Sequence, residues 1–79
     1  MNISNEDRTL MMDFIIYTWT EAVTYNGMPR SKGITSLVDY MTEQGRPKRD
    51  AAKRVLKFFQ ETGMDANEVL ELWNMIMKD

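Results

Sequence analysis

The chain contains neither cysteine nor histidine. Without cysteine there is no disulfide and no thiol nucleophile, and without histidine there is no imidazole general base. Together the two absences exclude Cys/His zinc sites, the Ser-His-Asp relay and a zinc-bound hydroxide of the common kind. Only carboxylate or lysine chemistry is left to an enzyme, and paired carboxylates need a cleft to work in. Asp65, Glu68 and Glu71 share one side of the last predicted helix, but such a ladder is ordinary solvent decoration. The chain is therefore read as non-enzymatic, with no cofactor and no metal.

Long apolar runs are also missing. The longest strongly apolar stretch, Phe14 to Tyr17, falls far short of the ~20 residues a spanning helix needs. The first seven residues carry Glu6 and Asp7 and no Lys or Arg, unlike the basic opening of a signal peptide. Absence of cysteine fits a reducing interior, so the expected location is cytoplasmic, with no membrane partner.

What remains is 79 residues, 43% apolar and 28% charged, which suits one compact helical or mixed domain and leaves no room for a second. A domain this short buries only about 60% of the surface its unfolded chain exposes. With neither disulfide nor metal to reinforce it, self-association is the remaining route, and a homodimer is one expected state.

Gly and Pro are few and fall at useful places: Asn26-Gly27 with Pro29 and Gly33, then Gly45 with Pro47, then Gly63. They cut the chain into four periodic segments, with no internal repeat read among them. In the first, Ser4 is an N-cap followed by Glu6 and Asp7, and Gly27 stops the helix after Tyr25. At 100° per residue, Met11, Met12, Ile15, Ile16, Trp19, Ala22 and Val23 gather in an arc about 140° wide, the expected core face. A strand competes over Tyr17-Thr18-Trp19-Thr20, but the segment after Asn-Gly is a poor hairpin partner.

The second segment is read as short, capped by Thr35 or Ser36, with Leu37, Val38 and Met41 inward and Asn26 to Gly33 left as a connection. The third admits Pro47 in its first turn and splits into an apolar side (Ala51, Ala52, Val55, Leu56, Phe58, Phe59) and a basic side. The fourth opens on Asp65-Ala66-Asn67-Glu68, a capping-box variant, and repeats Ala66, Val69, Leu70, Trp73, Ile76 and Met77 at helical spacing, a further expected core stripe. The fold expected is all-α: a small bundle of four helices, about 4–25, 36–44, 47–62 and 66–78, around Trp19, Phe58, Phe59 and Trp73.

Charge is unevenly spread. Residues 1–25 carry net −3, residues 26–57 net +5 and residues 58–79 net −4, so an acidic chain conceals a basic middle. Arg49, Lys53 and Lys57 stand four apart and present cations along about 12 Å of one helical edge, a length that also spans several phosphates of a duplex. With Arg46, Lys48 and Arg54, and with Arg30 and Lys32 in the preceding basic connection, they are candidates for contact with an acidic protein surface or a nucleic acid.

Gly45-Arg46-Pro47 followed by Lys48-Arg49 resembles the core of an AT-hook over about five residues, with Gln44 where that motif's first Arg belongs. The resemblance implies an extended segment entering the narrow groove of A·T-rich DNA. A helix-turn-helix fits less well. At Gly63 the close-packing position is the bulky Phe59 and the second helix carries Glu68 and Glu71, while at Gly45 Arg54 falls where an apolar residue belongs. The loop from Gly27 to Gly33 is no P-loop, since no Lys-Ser/Thr follows and no strand precedes.

A second surface is apolar. Leu10, Phe14 and Tyr17, at i, i+4 and i+7, lie roughly opposite the main apolar arc of the first helix, with Tyr25 nearby. Leu72 and Met75 form a smaller patch on the last helix, and eight Met residues supply adaptable side chains. These six residues are the expected partner-binding set. The function expected is that of a small regulator, inhibitor or adaptor docking on another, unidentified protein, with the basic edge orienting it; the alternative is a nucleic-acid-binding regulator using Arg46 to Lys57.

Overall fold

The computed structural model describes residues 4–78, all-helical and without strands among them. Four helices pack into a bundle: α1 (Asn5–Tyr25), α2 (Arg30–Glu43), α3 (Lys48–Glu61) and α4 (Ala66–Met77). Ser4 caps α1 as expected, its Oγ accepting from the Asp7 backbone N–H at 3.1 Å, with Glu6 and Asp7 in the electropositive first turn.

The three connectors share one design. After each helix the capping residue is followed by a glycine in the left-handed region, at φ 88° for Gly27, 100° for Gly45 and 109° for Gly63. The glycine N–H reaches back to Thr24, Thr42 or Gln60, and the next N–H reaches Val23, Met41 or Phe59, which is the Schellman pairing. One residue later Pro29, Pro47 or Asp65 takes the N-cap position, none with a side-chain capping bond, so the capping box expected over Asp65 to Glu68 is not formed and Glu68 pairs with Arg30 instead. Gly27, Gly45 and Gly63 are therefore spaced by a constant 18 residues. The buried positions of α2 (Gly33, Ile34, Leu37, Val38, Met41) recur 18 residues later in α3 (Ala51, Ala52, Val55, Leu56, Phe59), so the sequence holds a repeat that composition and motif reading did not detect.

The start of α2 corrects the expected boundary. Helix begins at Arg30, not near Ser36, with Pro29 extended at the N-cap position, where its missing N–H costs no helical bond, and Gly33 inside the helix rather than ending a loop. Gly33 lies buried inside the helix where α2 crosses α1: a Cβ there would stand 3.3 Å from Thr20 Cα and 3.4 Å from Val23 Cβ. Ser36, expected as a cap, instead accepts from Trp19 Nε1 at 3.1 Å and donates to the Gly33 carbonyl. Trp19 also packs on Tyr40, with ring centroids 5.2 Å apart. Thr20, buried in the crossing, satisfies its hydroxyl on the Ile16 carbonyl at 2.9 Å.

The core is more aliphatic than expected. Ile16, Ile34, Leu37, Val38, Val55, Leu56 and Phe59 are buried together, while Trp19, Phe58 and Trp73 flank this cluster half-buried. α1 also sits rotated from the expected arc. Met12, Ile16, Trp19, Thr20 and Val23 turn inward, whereas Met11, Ile15 and Ala22 are exposed. The close approach of Gly33 to Thr20 and Val23 turns that face of α1 inward; α1 packs on α2 and more lightly on α3, and no Cα of α1 comes within 8 Å of one of α4. No helix among the described residues is long and apolar enough to cross a membrane.

Candidate protein-binding surface

Because α1 and α4 flank the bundle without meeting, a groove of about 870 Å³ opens between them. Tyr17 and Thr20 line it from α1, Phe58 and Phe59 from α3, and Leu72 and Met75 from α4, with Met64 of the last connector beside them. Local helix geometry sets this arrangement. Phe58 and Phe59 are adjacent, hence 100° apart on the helix, and only one can face the centre. Phe59 does, and Phe58 turns half-buried into the groove, edge-on to its neighbour at 5.1 Å. Three of the six expected partner-binding residues, Tyr17, Leu72 and Met75, thus line one groove, but α4 sits rotated from the expected stripe: Leu72, expected in a surface patch with Met75, is buried in the core at 4% exposure, and Leu70, expected to face the core, is 57% exposed.

Leu10 and Phe14 continue the Tyr17 stripe along α1 beyond the groove, each 69% exposed. Tyr25 is 92% exposed near the end of α1 and is not part of the groove lining. Phe58, Thr20 and Met64 were not expected at a binding surface. The readable signal was the Phe-Phe pair, which forces one ring off the core axis.

Arg49, Lys53 and Lys57 keep their shared exposed edge on α3, while the other basic residues are dispersed. Arg30 stands at the rim of the α1/α4 groove, paired with Glu68 at 2.7 Å. Arg54 turns onto α1, where it donates to Asp13 and, at 3.1 Å, to the Thr9 carbonyl. Arg49 lies over the Trp73 ring, its guanidinium carbon 5.7 Å from the centroid. Lys53 and Lys57 line a smaller groove of about 340 Å³ between α3 and α4, whose apolar wall includes Leu56, Val69, Leu70 and Trp73. Lys32, Arg46 and Lys48 form no ion pair among the described residues. Pro47 caps α3 and Lys48 and Arg49 are helical, so the segment resembling an AT-hook is not the extended strand that motif uses.

The two grooves share no lining residue and differ in sign. The larger holds Glu21, Glu68 and Glu71 against a single cation, Arg30; the smaller holds Lys53 and Lys57 and no carboxylate. No group of three metal-ligating side chains stands together among the described residues. The chain matches no protein family, curated protein or solved structure with which it was compared.

Proposed function

We propose that this chain is a small non-enzymatic binding protein, a regulator, inhibitor or adaptor, that docks another protein through the α1/α4 groove and the stripe beside it. The observation that carries this reading is the convergence of Tyr17, Phe58, Leu72 and Met75 on an open channel of about 870 Å³ with apolar Leu10 and Phe14 extending it. Grooves of this kind receive amphipathic helices, whose anchors recur at i, i+3/i+4 and i+7. Aromatic and Met side chains suit such docking: the rings bury large area at low entropic cost, and thioethers adapt to the shape presented.

The basic residues support a subsidiary role. Of the eight candidate basic residues, Arg30, Arg49 and Arg54 are engaged within the chain, and Lys53 and Lys57 border an apolar wall that includes Trp73, on which Arg49 lies. That arrangement favours a second protein contact over a phosphate track, so the nucleic-acid reading is the weaker one.

A photo-crosslinking amino acid introduced separately at Tyr17 and at Met75 tests the proposal in lysate of the source cells. Both positions should yield an adduct of one and the same protein mass, and Phe14→Ser should diminish both. Adducts formed only from Lys53 and Lys57, or adducts containing nucleic acid, would contradict it.

A further inference from the structure

We propose that the occupant of the α1/α4 groove is a basic amphipathic helix: a partner segment with an apolar face flanked by Lys or Arg. The inference rests on the docking function proposed above and adds the chemistry of the partner. Each wall of the groove comes from an acidic stretch, α1 from residues 1–25 at net −3 and α4 from residues 58–79 at net −4. Glu21 stands on the α1 wall, Glu68 and Glu71 on the α4 wall, with the apolar floor between them. Arg30 compensates Glu68, whereas Glu21 and Glu71 form no ion pair among the described residues. The groove therefore offers two carboxylates without an ion pair among the described residues, Glu21 from α1 and Glu71 from α4, in a lining that also holds Phe58, Leu72 and Met75.

A helix seated on that floor would direct the residues flanking its apolar face toward the two walls. Cations at those positions would meet Glu21 and Glu71, and carboxylates would be repelled; complementary charge of this kind selects partners and speeds their encounter. The α3/α4 groove, with its two lysines, has the opposite preference and serves as an internal comparison.

A second copy of the chain is the rival occupant of the neighbouring stripe. Antiparallel pairing of two α1 helices centred on Phe14 would set Asp7 of one copy opposite Glu21 of the other, a like-charge contact that opposes self-association.

The test uses the full chain and two fluorescein-labelled peptides, each about five helical turns long. Both carry the same leucine face; one has lysines on its polar face and the other has glutamates. By fluorescence anisotropy the lysine peptide should bind at least about 10-fold more tightly than the glutamate peptide, and the difference should shrink as salt is raised. The Glu21→Lys/Glu71→Lys double variant should weaken the lysine peptide by about 10-fold or more, and Met75→Ser should weaken it with the carboxylates intact. Circular dichroism verifies that each variant keeps its helices. If both peptides bind equally and Met75→Ser weakens both, the basic-partner inference fails while the docking reading stands. Lysine-peptide binding that is indifferent to Glu21→Lys/Glu71→Lys also overturns the inference. If neither peptide binds, both readings are contradicted.

Discussion

Gly33→Leu is expected to lower the melting temperature by at least about 10 °C. Gly33 is the point where α2 crosses α1, and even a single added carbon would stand 3.3 Å from the Thr20 Cα, a backbone atom that cannot rotate aside. A leucine adds three further carbons, which can be accommodated only by moving the two helices apart. That separation would also part Trp19 from Ser36 and from Tyr40. Overpacking typically costs 1–3 kcal/mol, and loss of the crossing contacts adds to it, against a total stability of about 4–12 kcal/mol for a chain of this length. Gly33→Ala separates the two ingredients of the effect. It gains about 1 kcal/mol of helix propensity and loses part of that to crowding on Thr20, so its melting temperature should stay close to that of the parent. Thermal melts followed by far-ultraviolet circular dichroism distinguish the two variants.

Ile16→Ala is the second large effect. Ile16 is 0% exposed, on the face of α1 that meets the buried cluster of α2 and α3. Truncating a fully buried isoleucine removes three carbons and leaves a cavity that close-packed neighbours fill only in part, at a cost of about 2–5 kcal/mol. In a domain of this size each kcal/mol lowers the melting temperature by roughly 4–8 °C, so a fall of at least about 10 °C is expected. Ile15, one residue earlier and chemically identical, is 48% exposed. Ile15→Ala should therefore cost far less, and the ratio of the two effects reports the rotation of α1 in the bundle.

That rotation was only partly legible in the sequence. α3 was readable almost to the residue, because its apolar and charged sides are cleanly divided and Pro47 and Gly63 mark its ends. α1 carries apolar residues on two opposite sides with polar ones between them, so periodicity identified it as a helix without fixing which face turned inward. What fixes it is the close approach of Gly33 to Thr20, a tertiary fact carried by a residue that reads locally as a breaker. The same glycine concealed the first turn and a half of α2. The constant 18-residue spacing of Gly27, Gly45 and Gly63 would have exposed this, since it assigns the break to Gly27 and leaves Gly33 inside a helix.

The candidate site follows the same division. Leu10, Phe14 and Tyr17 stand outward as their spacing requires, and that much is a property of one helix. The groove is not, because it exists only where α1 and α4 fail to meet, and no local pattern encodes which pair of helices is left apart. Arg54 shows the limit from the charged side. It belongs to the basic run in sequence, yet its partner, Asp13, lies 41 residues away.

The proposed docking surface requires Phe14 and Tyr17 to be surface and not core, and the most direct measurement is the melting temperature of the Phe14→Ser/Tyr17→Ser double variant beside that of Ile16→Ala. With both rings outside the packed interior, the double variant should keep the parent's helical signal and melt no more than about 4–8 °C below it, the shift given by about 0.5 kcal/mol per surface substitution. A fall in melting temperature as large as that of Ile16→Ala would mean that those rings hold the bundle together, and would contradict the docking surface outright.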